Sequence, residues 1–150
     1  PGDELKKVNA IVIHYVGNPG TTAAQNRSYF ENISKTGEAS VSSHFIVGLE
    51  GEIIQCVPLD EISYASNDRN EDTIAIETCH PDATGAYNKE TYDSMVKLTA
   101  YLCILYSLDP DKDVIRHYDV TGKECPKYFV DYENEWNLFK AQVKRQMSEK

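Results

Sequence analysis

The strongest indication of the fold is an apolar run near the amino end, Val8–Val16, in which valine and isoleucine predominate. A short run of β-branched residues is typical of a strand that is buried on both faces. The segment Gly17-Asn18-Pro19-Gly20 follows at once and breaks regular structure. We therefore predict that Val8–Val16 forms a buried central strand.

Strand and helix patterns alternate along the rest of the chain. Helices are predicted at about 21–34, 88–108 and 131–147, and strands at 44–49, 52–57, 73–79 and 114–118. The dipeptide Glu50-Gly51 between two of these strands predicts a hairpin, and the polar segment 58–72 is predicted to be a loop. Together the elements predict an α/β fold, a single domain with a central mixed β-sheet flanked by helices.

Length and charge limit the classes of protein to which the chain can belong. A length of 150 residues suits one domain, and the net charge of −9 argues against binding to nucleic acid. No apolar segment reaches the ~20 residues that a membrane-spanning helix requires. No export signal is evident, and because the chain opens with Pro1-Gly2 we expect an excised piece that lacks its targeting sequence or partner domains. We further expect a monomer.

The four cysteines do not resemble the framework of a small disulfide-rich domain. Cys56 and Cys79 fall in predicted strands, Cys103 falls in a predicted helix, and Cys125 precedes a proline in a turn. A disulfide between Cys56 and Cys79 stays open on this evidence.

Two histidines near strand ends and one cysteine in a turn have the chemistry of a zinc site. His14 closes the first strand, and the segment Arg116–Pro126 holds His117 and Cys125 eight positions apart. Neighbouring strands lie ~4.8 Å apart, close enough for side chains at their ends to share an ion. Two imidazoles and a thiolate suffice for zinc with its fourth position open, an arrangement that usually serves hydrolysis.

Other interpretations of these residues stay open. A lone histidine on an apolar strand more often makes a hydrogen bond in the core, and an isolated cysteine is often a small buried hydrophobic residue. Cys125 paired with His117 would also make a thiol nucleophile that needs no metal. We favour the metal ligand over the nucleophile.

Four segments carry a resemblance to a known family: Ile11-Val12-Ile13-His14-Tyr15, Ser42-Ser43-His44-Phe45-Ile46-Val47-Gly48, Thr73-Ile74-Ala75-Ile76-Glu77 and Arg116-His117-Tyr118-Asp119-Val120-Thr121-Gly122-Lys123-Glu124-Cys125-Pro126. Together they resemble the amidase-2 family, the zinc-dependent N-acetylmuramoyl-L-alanine amidases. The resemblance is collinear from about Val8 to Phe129 and is strongest to the catalytic domains of bacterial autolysins and phage endolysins. It implies a fold like that of peptidoglycan recognition proteins and T7-type lysozyme.

The resemblance implies roles for five residues. His14, His117 and Cys125 match the three zinc ligands of the family. Glu77 matches the glutamate that assists the attacking water in the bacterial subgroup. Lys123, two positions before the thiolate, matches a basic residue that meets the developing oxyanion.

Two of these assignments have structural alternatives. Glu77 could instead form an ion pair with Arg116 or with a lysine, although an acid within Ile74-Ala75-Ile76 is costly to bury without a function. Lys123 could be an ordinary solvated lysine in a turn.

Ser43 stands where T7-type and recognition-protein relatives carry a tyrosine, so the chain resembles the branch that uses the glutamate.

Further polar residues accompany the predicted site. Tyr64, Asn67 and Asn70 lie in the polar loop and are candidates for binding a glycan or a peptide. His44 is predicted to have a structural role or to support the metal ligands. His80 follows a predicted strand and is predicted to be an exposed loop histidine.

The resemblance predicts a zinc amidase catalytic domain over residues 1–150, with a core at about 8–147. Its reaction is hydrolysis of the amide bond between the lactyl group of N-acetylmuramic acid and L-alanine, with Zn²⁺ as the cofactor. Its expected partners are peptidoglycan and muropeptides, at the bacterial cell wall or outside the cell, or in the cytoplasm until release for a phage-encoded enzyme. The alternatives are a non-catalytic module that binds muropeptides and a Cys125/His117 thiol peptidase.

Overall fold

A computed structural model describes residues 3–36 and 42–149. At its centre is a five-stranded sheet of order β3-β2-β4-β1-β5. The strands are β1 (Ala10–Tyr15), β2 (Phe45–Val47), β3 (Ile53–Gln55), β4 (Thr73–Thr78) and β5 (Val114–Arg116). All pairings are parallel except that of β3 with β2, which is antiparallel. The predicted mixed sheet and the hairpin at Glu50-Gly51 are therefore confirmed.

Six α-helices and one 3₁₀ helix accompany the strands in the described part of the chain. The α-helices are α1 (Ala23–Thr36), α2 (Lys89–Tyr106), α3 (Pro110–Asp113), α4 (His117–Thr121), α5 (Lys127–Asp131) and α6 (Glu133–Ser148). The 3₁₀ helix, Asn67–Asp72, lies within the segment that was predicted to be only a loop. None of the helices in the described ranges is long and apolar enough to cross a membrane.

Strand β1 is buried as its composition predicts. It lies between β4 and β5, and Ile11, Val12 and Ile13 have no exposed surface. Because side chains alternate between the two faces of a strand, Ile11 and Ile13 point to one face and Val12 and His14 to the other. One face of β1 therefore contributes to the hydrophobic core, and the other face carries His14.

Helices cover both faces of the sheet. Ile11 and Ile13 belong to a large core that includes side chains of α2 and α6, with Phe139 and Trp136 among them. On the opposite face, Ile46 of β2 packs with residues of α1. The predicted α/β architecture, a single domain with helices on both sides of a mixed sheet, is confirmed.

Two predicted boundaries are wrong near the carboxyl end. The strand predicted at 114–118 ends at Arg116, because the Asp119 carboxylate accepts a hydrogen bond from the Arg116 N–H at 2.9 Å and starts α4. The helix predicted at 131–147 is preceded by the separate helix α5, since Tyr132 has non-helical backbone angles, φ −124° and ψ 83°. His117 consequently lies at the start of a helix rather than in a strand.

All four cysteines are free thiols. Cys79, Cys103 and Cys125 are buried and Cys56 is half-buried. The disulfide between Cys56 and Cys79, left open by the sequence, is not formed.

Candidate metal centre and active site

The two histidines and the glutamate singled out by the sequence meet at one edge of the sheet. In the register between β1 and β4, His14 pairs with Glu77, so both side chains lie on the same face. Ile13 pairs with Arg116 in the register between β1 and β5, which places His117 beside His14. This is the edge at which parallel strands end, where ligands of open α/β sheets bind.

Cys125 reaches the same edge because the chain reverses after α4. Gly122 ends this helix with φ +84°, a left-handed conformation that glycine adopts without steric cost. The Tyr118 N–H then donates to the Cys125 carbonyl at 2.9 Å and fixes the reversal. As a result, Cys125 Sγ lies 3.8 Å from His14 Nδ1.

His14, His117 and Cys125 form a compact cluster of potential metal ligands. Each residue offers one ligand atom within 4.8 Å of the others, and all three residues are buried. The two imidazole rings have their centroids 4.7 Å apart. Two nitrogens and a sulfur are donors that zinc prefers, so the cluster fits a zinc ion by its chemistry as well as by its spacing.

The electrostatics of the cluster keep both imidazoles neutral. Burial lowers the pKa of His14 to about 3, assisted by repulsion from Lys123 and from His117 when that ring is protonated. Burial and Lys123 also lower the pKa of His117. A neutral imidazole is the form that binds a metal. Burial raises the pKa of Cys125 to about 12, so its sulfur becomes a thiolate at neutral pH only beside a cation.

Ser66 and Asn67, in the segment before β4, contact the Nε2 atoms of the two histidine rings. His14 Nε2 lies 3.1 Å from Ser66 Oγ, and His117 Nε2 lies 2.7 Å from Asn67 Oδ1. Asn67 was predicted as a candidate for substrate binding, and its amide oxygen faces the histidine. Ser66 was not predicted, since a serine in a polar loop carries no distinguishing signal.

Glu77 is buried without a partner for one of its oxygens. The residue is 8% exposed, and its Oε1 atom accepts no hydrogen bond from the described residues. Burial raises the pKa of Glu77 to about 8, although the charge of Lys123 acts in the opposite direction. Arg116 forms ion pairs with Asp119 and Glu133, so the alternative of an Arg116 partner for Glu77 is wrong.

Lys123 is an exposed residue two positions before Cys125. Its side chain makes no ion pair with any residue in the described ranges, 3–36 and 42–149. Its charge is nevertheless close enough to act on the pKa values of His14, His117 and Glu77. An exposed positive charge thus acts on the electrostatics of the site.

The three candidates for substrate binding line one surface cleft of 560 Å³. The Tyr64 hydroxyl donates to the carboxylate of Asp3. The Asn70 Oδ1 atom accepts the Ser66 N–H at 2.7 Å and the preceding N–H at 3.2 Å. Asn70 therefore also shapes the loop beside the histidines.

The prediction of an exposed His80 is wrong. This residue is 1% exposed, its Nε2 atom accepts the Gly17 N–H at 3.1 Å, and its Nδ1 contacts the Asp82 carbonyl at 2.8 Å. The histidine thus joins the turn after β1 to the turn after β4. Its burial depends on the meeting of two distant turns, which the local sequence does not reveal.

His44 has the structural role that was one of its predicted alternatives. Its Nδ1 atom accepts the Ala75 N–H at 3.0 Å, and its Nε2 atom donates to the Glu61 carbonyl at 2.7 Å. The residue thereby links β2, β4 and the loop that follows β3. It takes no part in the cluster of His14, His117 and Cys125.

Comparison with known proteins agrees with this geometry. Residues 4–128 match the family described as N-acetylmuramoyl-L-alanine amidase. The chain belongs to this family. Among its relatives, the N-acetylmuramoyl-L-alanine amidase BlyA of Bacillus subtilis (strain 168) is 32% identical over 170 residues, which cover 100% of the chain and 45% of BlyA. CwlL of Bacillus licheniformis is 32% identical over 95% of the chain and 42% of its own length. The chain thus spans less than half the length of these two amidases.

Solved structures of other proteins share the fold. A mutant endolysin from Bacillus subtilis superposes with a TM-score of 0.78 at 29% identity, over 95% of the chain and 89% of that structure. The catalytic domain of XlyA gives a TM-score of 0.78 at 28% identity, over 95% of the chain and 90% of that structure. The family and the fold implied by the four sequence segments are therefore confirmed.

Proposed function

We propose that this chain is the catalytic domain of a zinc-dependent N-acetylmuramoyl-L-alanine amidase, over residues 1–150 with a core at about 8–147. It hydrolyses the amide bond between the lactyl group of N-acetylmuramic acid and the L-alanine of the stem peptide. The observation that carries the proposal is the convergence of His14, His117 and Cys125 within 4.8 Å, with Glu77 on the neighbouring strand. The relatives BlyA and CwlL, which are named as N-acetylmuramoyl-L-alanine amidases, support the choice of substrate.

His14, His117 and Cys125 are the residues that would hold the zinc. A zinc ion in this position supplies a Lewis acid that polarises a carbonyl oxygen and lowers the pKa of water. The donor set has two neutral imidazoles and one sulfur, which leaves room for water and substrate in the coordination shell. The histidine pKa values support this assignment because neither ring needs to lose a proton at neutral pH.

Glu77 is proposed as the general base and acid. Its unpaired Oε1 atom can accept a proton from the attacking water and later deliver it to the leaving amine nitrogen. Catalysis of this kind works best when the pKa of the group lies near the working pH, and burial shifts the pKa of Glu77 in that direction. A carboxyl group buried without a partner is costly for the fold, which supports a catalytic role.

Lys123 is proposed to stabilise the negative oxygen that develops when water adds to the amide carbon. Its ammonium group is exposed and carries no ion pair among the residues described. A positive charge that is already in position lowers the energy of such a transition state without reorganisation of the site.

The cleft beside the histidines is the proposed binding place for a glycan or a peptide. Tyr64, Asn67 and Asn70 line it, and the oxygen atoms of both amides are engaged inside the protein. We propose that the Tyr64 ring and the two amide nitrogens contact the substrate. Aromatic rings combine an apolar face with a polar edge and suit ligands of this kind.

The proposed partners are peptidoglycan and its muropeptides, and the proposed state is a monomer. The reaction requires access to the bacterial cell wall. The proposed location is therefore the wall or the outside of the cell, or the cytoplasm until release for a phage-encoded enzyme.

The proposal is tested by mass spectrometry of the products formed from defined muropeptides. The expected products are a peptide with a free L-alanine amino group and a saccharide with a free lactyl carboxylate. A chelator should abolish their formation and added zinc should restore it. Cleavage between two amino acids of the stem peptide would contradict the proposed reaction.

Two variants separate the proposal from its alternatives. Cys125→Ser should lose zinc and activity together, whereas Cys56→Ser, which removes a half-buried thiol outside the cluster, should lose neither. Activity that survives complete chelation in the wild type but is absent from Cys125→Ser would support the thiol peptidase. Zinc retention without hydrolysis of any muropeptide would support the binding module.

A further inference from the structure

The loop 65–70 contacts both histidines of the cluster through the same ring atom. Ser66 Oγ lies 3.1 Å from Nε2 of His14, and Asn67 Oδ1 lies 2.7 Å from Nε2 of His117. The Nδ1 atom of each ring is therefore the one left for a metal. For His14 this atom already faces the Cys125 sulfur at 3.8 Å.

The contact to Asn67 selects one tautomer of His117. An amide oxygen can only accept a hydrogen bond, so Nε2 of the neutral imidazole must carry the proton. The lone pair then lies on Nδ1. The Ser66 hydroxyl can donate as well as accept, so its constraint on His14 is weaker.

The loop holds its shape through its own hydrogen bonds. The Ser66 N–H donates to Asn70 Oδ1 at 2.7 Å, and the Arg69 N–H donates to the Ser66 carbonyl at 3.0 Å. Asn67 has φ +53°, a left-handed conformation that asparagine tolerates better than most residues. These hydrogen bonds and this backbone conformation fix the position of the Asn67 amide without a ligand.

We propose that Asn67 is a positioning residue, which fixes His117 in the Nε2–H tautomer and so presents Nδ1 to the metal. Ser66 contacts the same ring atom of His14, but its hydroxyl does not select a tautomer. The inference rests on the proposed zinc site. Partners of this kind hold ligating histidines in orientation, and their loss typically weakens metal affinity 10–100-fold.

The first test is the zinc affinity of the whole chain, measured by competition with a chromophoric chelator. Asn67→Gly removes the amide and still permits the left-handed backbone, so its affinity should fall 10–100-fold. Asn67→Asp restores an acceptor for the Nε2 proton and should retain wild-type affinity or exceed it. Asn134→Ala removes an amide from the exposed start of α6 and should change nothing.

Thermal unfolding of the metal-free proteins separates positioning from general loss of structure. Asn67→Gly should unfold close to the wild-type temperature while binding zinc more weakly. Equal zinc affinity of Asn67→Gly and the wild type would overturn the inference and leave the proposed amidase intact. A wild-type chain that binds no zinc would overturn the proposed function itself.

The second test needs no variant. Long-range ¹H–¹⁵N spectra of the metal-free wild type at about pH 7.5, where His117 is neutral, report which ring nitrogen carries the proton. Protonation of His117 at Nε2 is the expected result. Protonation at Nδ1 would overturn the inference, including in the case that Asn67→Gly does not fold.

Discussion

Among the carboxylates in residues 3–36 and 42–149, Glu77 stands apart because it is buried and one of its oxygens has no hydrogen-bond partner there. Glu77→Gln should keep the fold. Burial favours the protonated carboxyl group, and an amide has nearly the same shape. The variant should also keep the zinc. Turnover should fall by roughly 10²–10⁴-fold, because an amide cannot accept the proton of the attacking water.

The measurement compares muropeptide hydrolysis and metal content of Glu77→Gln with those of Glu90→Gln, which alters an exposed carboxylate at the start of α2. Normal hydrolysis by Glu77→Gln would show that the acid–base assignment is wrong, even though the amidase function could stand.

His44 gives the fold a pH dependence that is separate from the cluster. Burial lowers the pKa of His44 from the ordinary value of 6.5, although Glu61, through its carbonyl and its charge, acts in the opposite direction. The neutral ring accepts the Ala75 N–H on Nδ1. A folded pKa below the unfolded one contributes stability above about pH 6.5, and this contribution is lost as the pH falls below that value.

Urea unfolding of the metal-free protein tests this role of His44. At about pH 7.5 His44→Gln should lower the free energy of unfolding by about 2 kcal/mol, since the buried Ala75 N–H loses its acceptor and the Glu61 carbonyl loses the imidazole donor. At about pH 5 the difference from the wild type should shrink, because only the wild type must bury a group that tends to be protonated. The same difference at both pH values would contradict the assignment.

The sequence allowed some of the residues at the site to be predicted, but not all of them. His14, His117 and Cys125 could be singled out because their residue types and the motifs that hold them are local properties, and the structure brings the three together. Ser66 could not, because its contact to His14 spans 52 positions of the chain. His80 was wrongly placed on the surface for the same reason, since Gly17 lies 63 positions away.

Among the elements, α4 is anchored at its start by Arg116. The buried guanidinium forms ion pairs with Asp119 of α4 at 2.9 Å and with Glu133 of α6 at 2.6 Å. It also donates to the Phe129 carbonyl of α5 at 2.9 Å. One side chain therefore ties three helices together directly before His117.

Arg116→Met should lower the free energy of unfolding by about 3 kcal/mol, because the Phe129 carbonyl and the Asp119 carboxylate lose a charged donor. Arg116→Lys should recover only part of this, since an ammonium group cannot bond the carboxylate in the bidentate manner of arginine. Denaturant unfolding measures both changes. An unaltered stability of Arg116→Met would contradict the role assigned to the network.

Helices with a clear apolar periodicity could be predicted from the sequence. Helices that depend on tertiary contacts could not. Helix α2 follows its apolar spacing and begins after Asn88, whose side chain accepts the Thr91 N–H at 2.8 Å. Helix α5 was missed because its Phe129 ring packs against Trp136 and Phe139 of the next helix. That packing is tertiary, and a periodicity read along the chain does not contain it.

In the molecule as a whole, the cluster joins segments that are distant in sequence. It connects the end of β1, the start of α4 and the reversal that carries Cys125, across 111 positions of the chain. A ligand that binds only the folded state adds about 2.7 kcal/mol of stability at a hundredfold excess over its Kd. Zinc should therefore stabilise the entire domain.

Removal of zinc by a chelator should lower the Tm of the wild type by roughly 5–10 °C, given the usual shift of about 2–4 °C per kcal/mol for a domain of this size. Cys125→Ser should already melt lower and should respond little to the chelator. Differential scanning calorimetry measures both. A wild-type Tm that does not change on chelation would mean that no ion is bound by the folded protein.

The most direct measurement is zinc K-edge X-ray absorption on the zinc-loaded chain. Two nitrogen neighbours at about 2.0–2.1 Å and one sulfur at about 2.3 Å are expected in the wild type, with the sulfur lost in Cys125→Ser. Spectra in which zinc has only oxygen neighbours, or in which the sulfur signal persists in Cys125→Ser, would contradict a centre built from His14, His117 and Cys125.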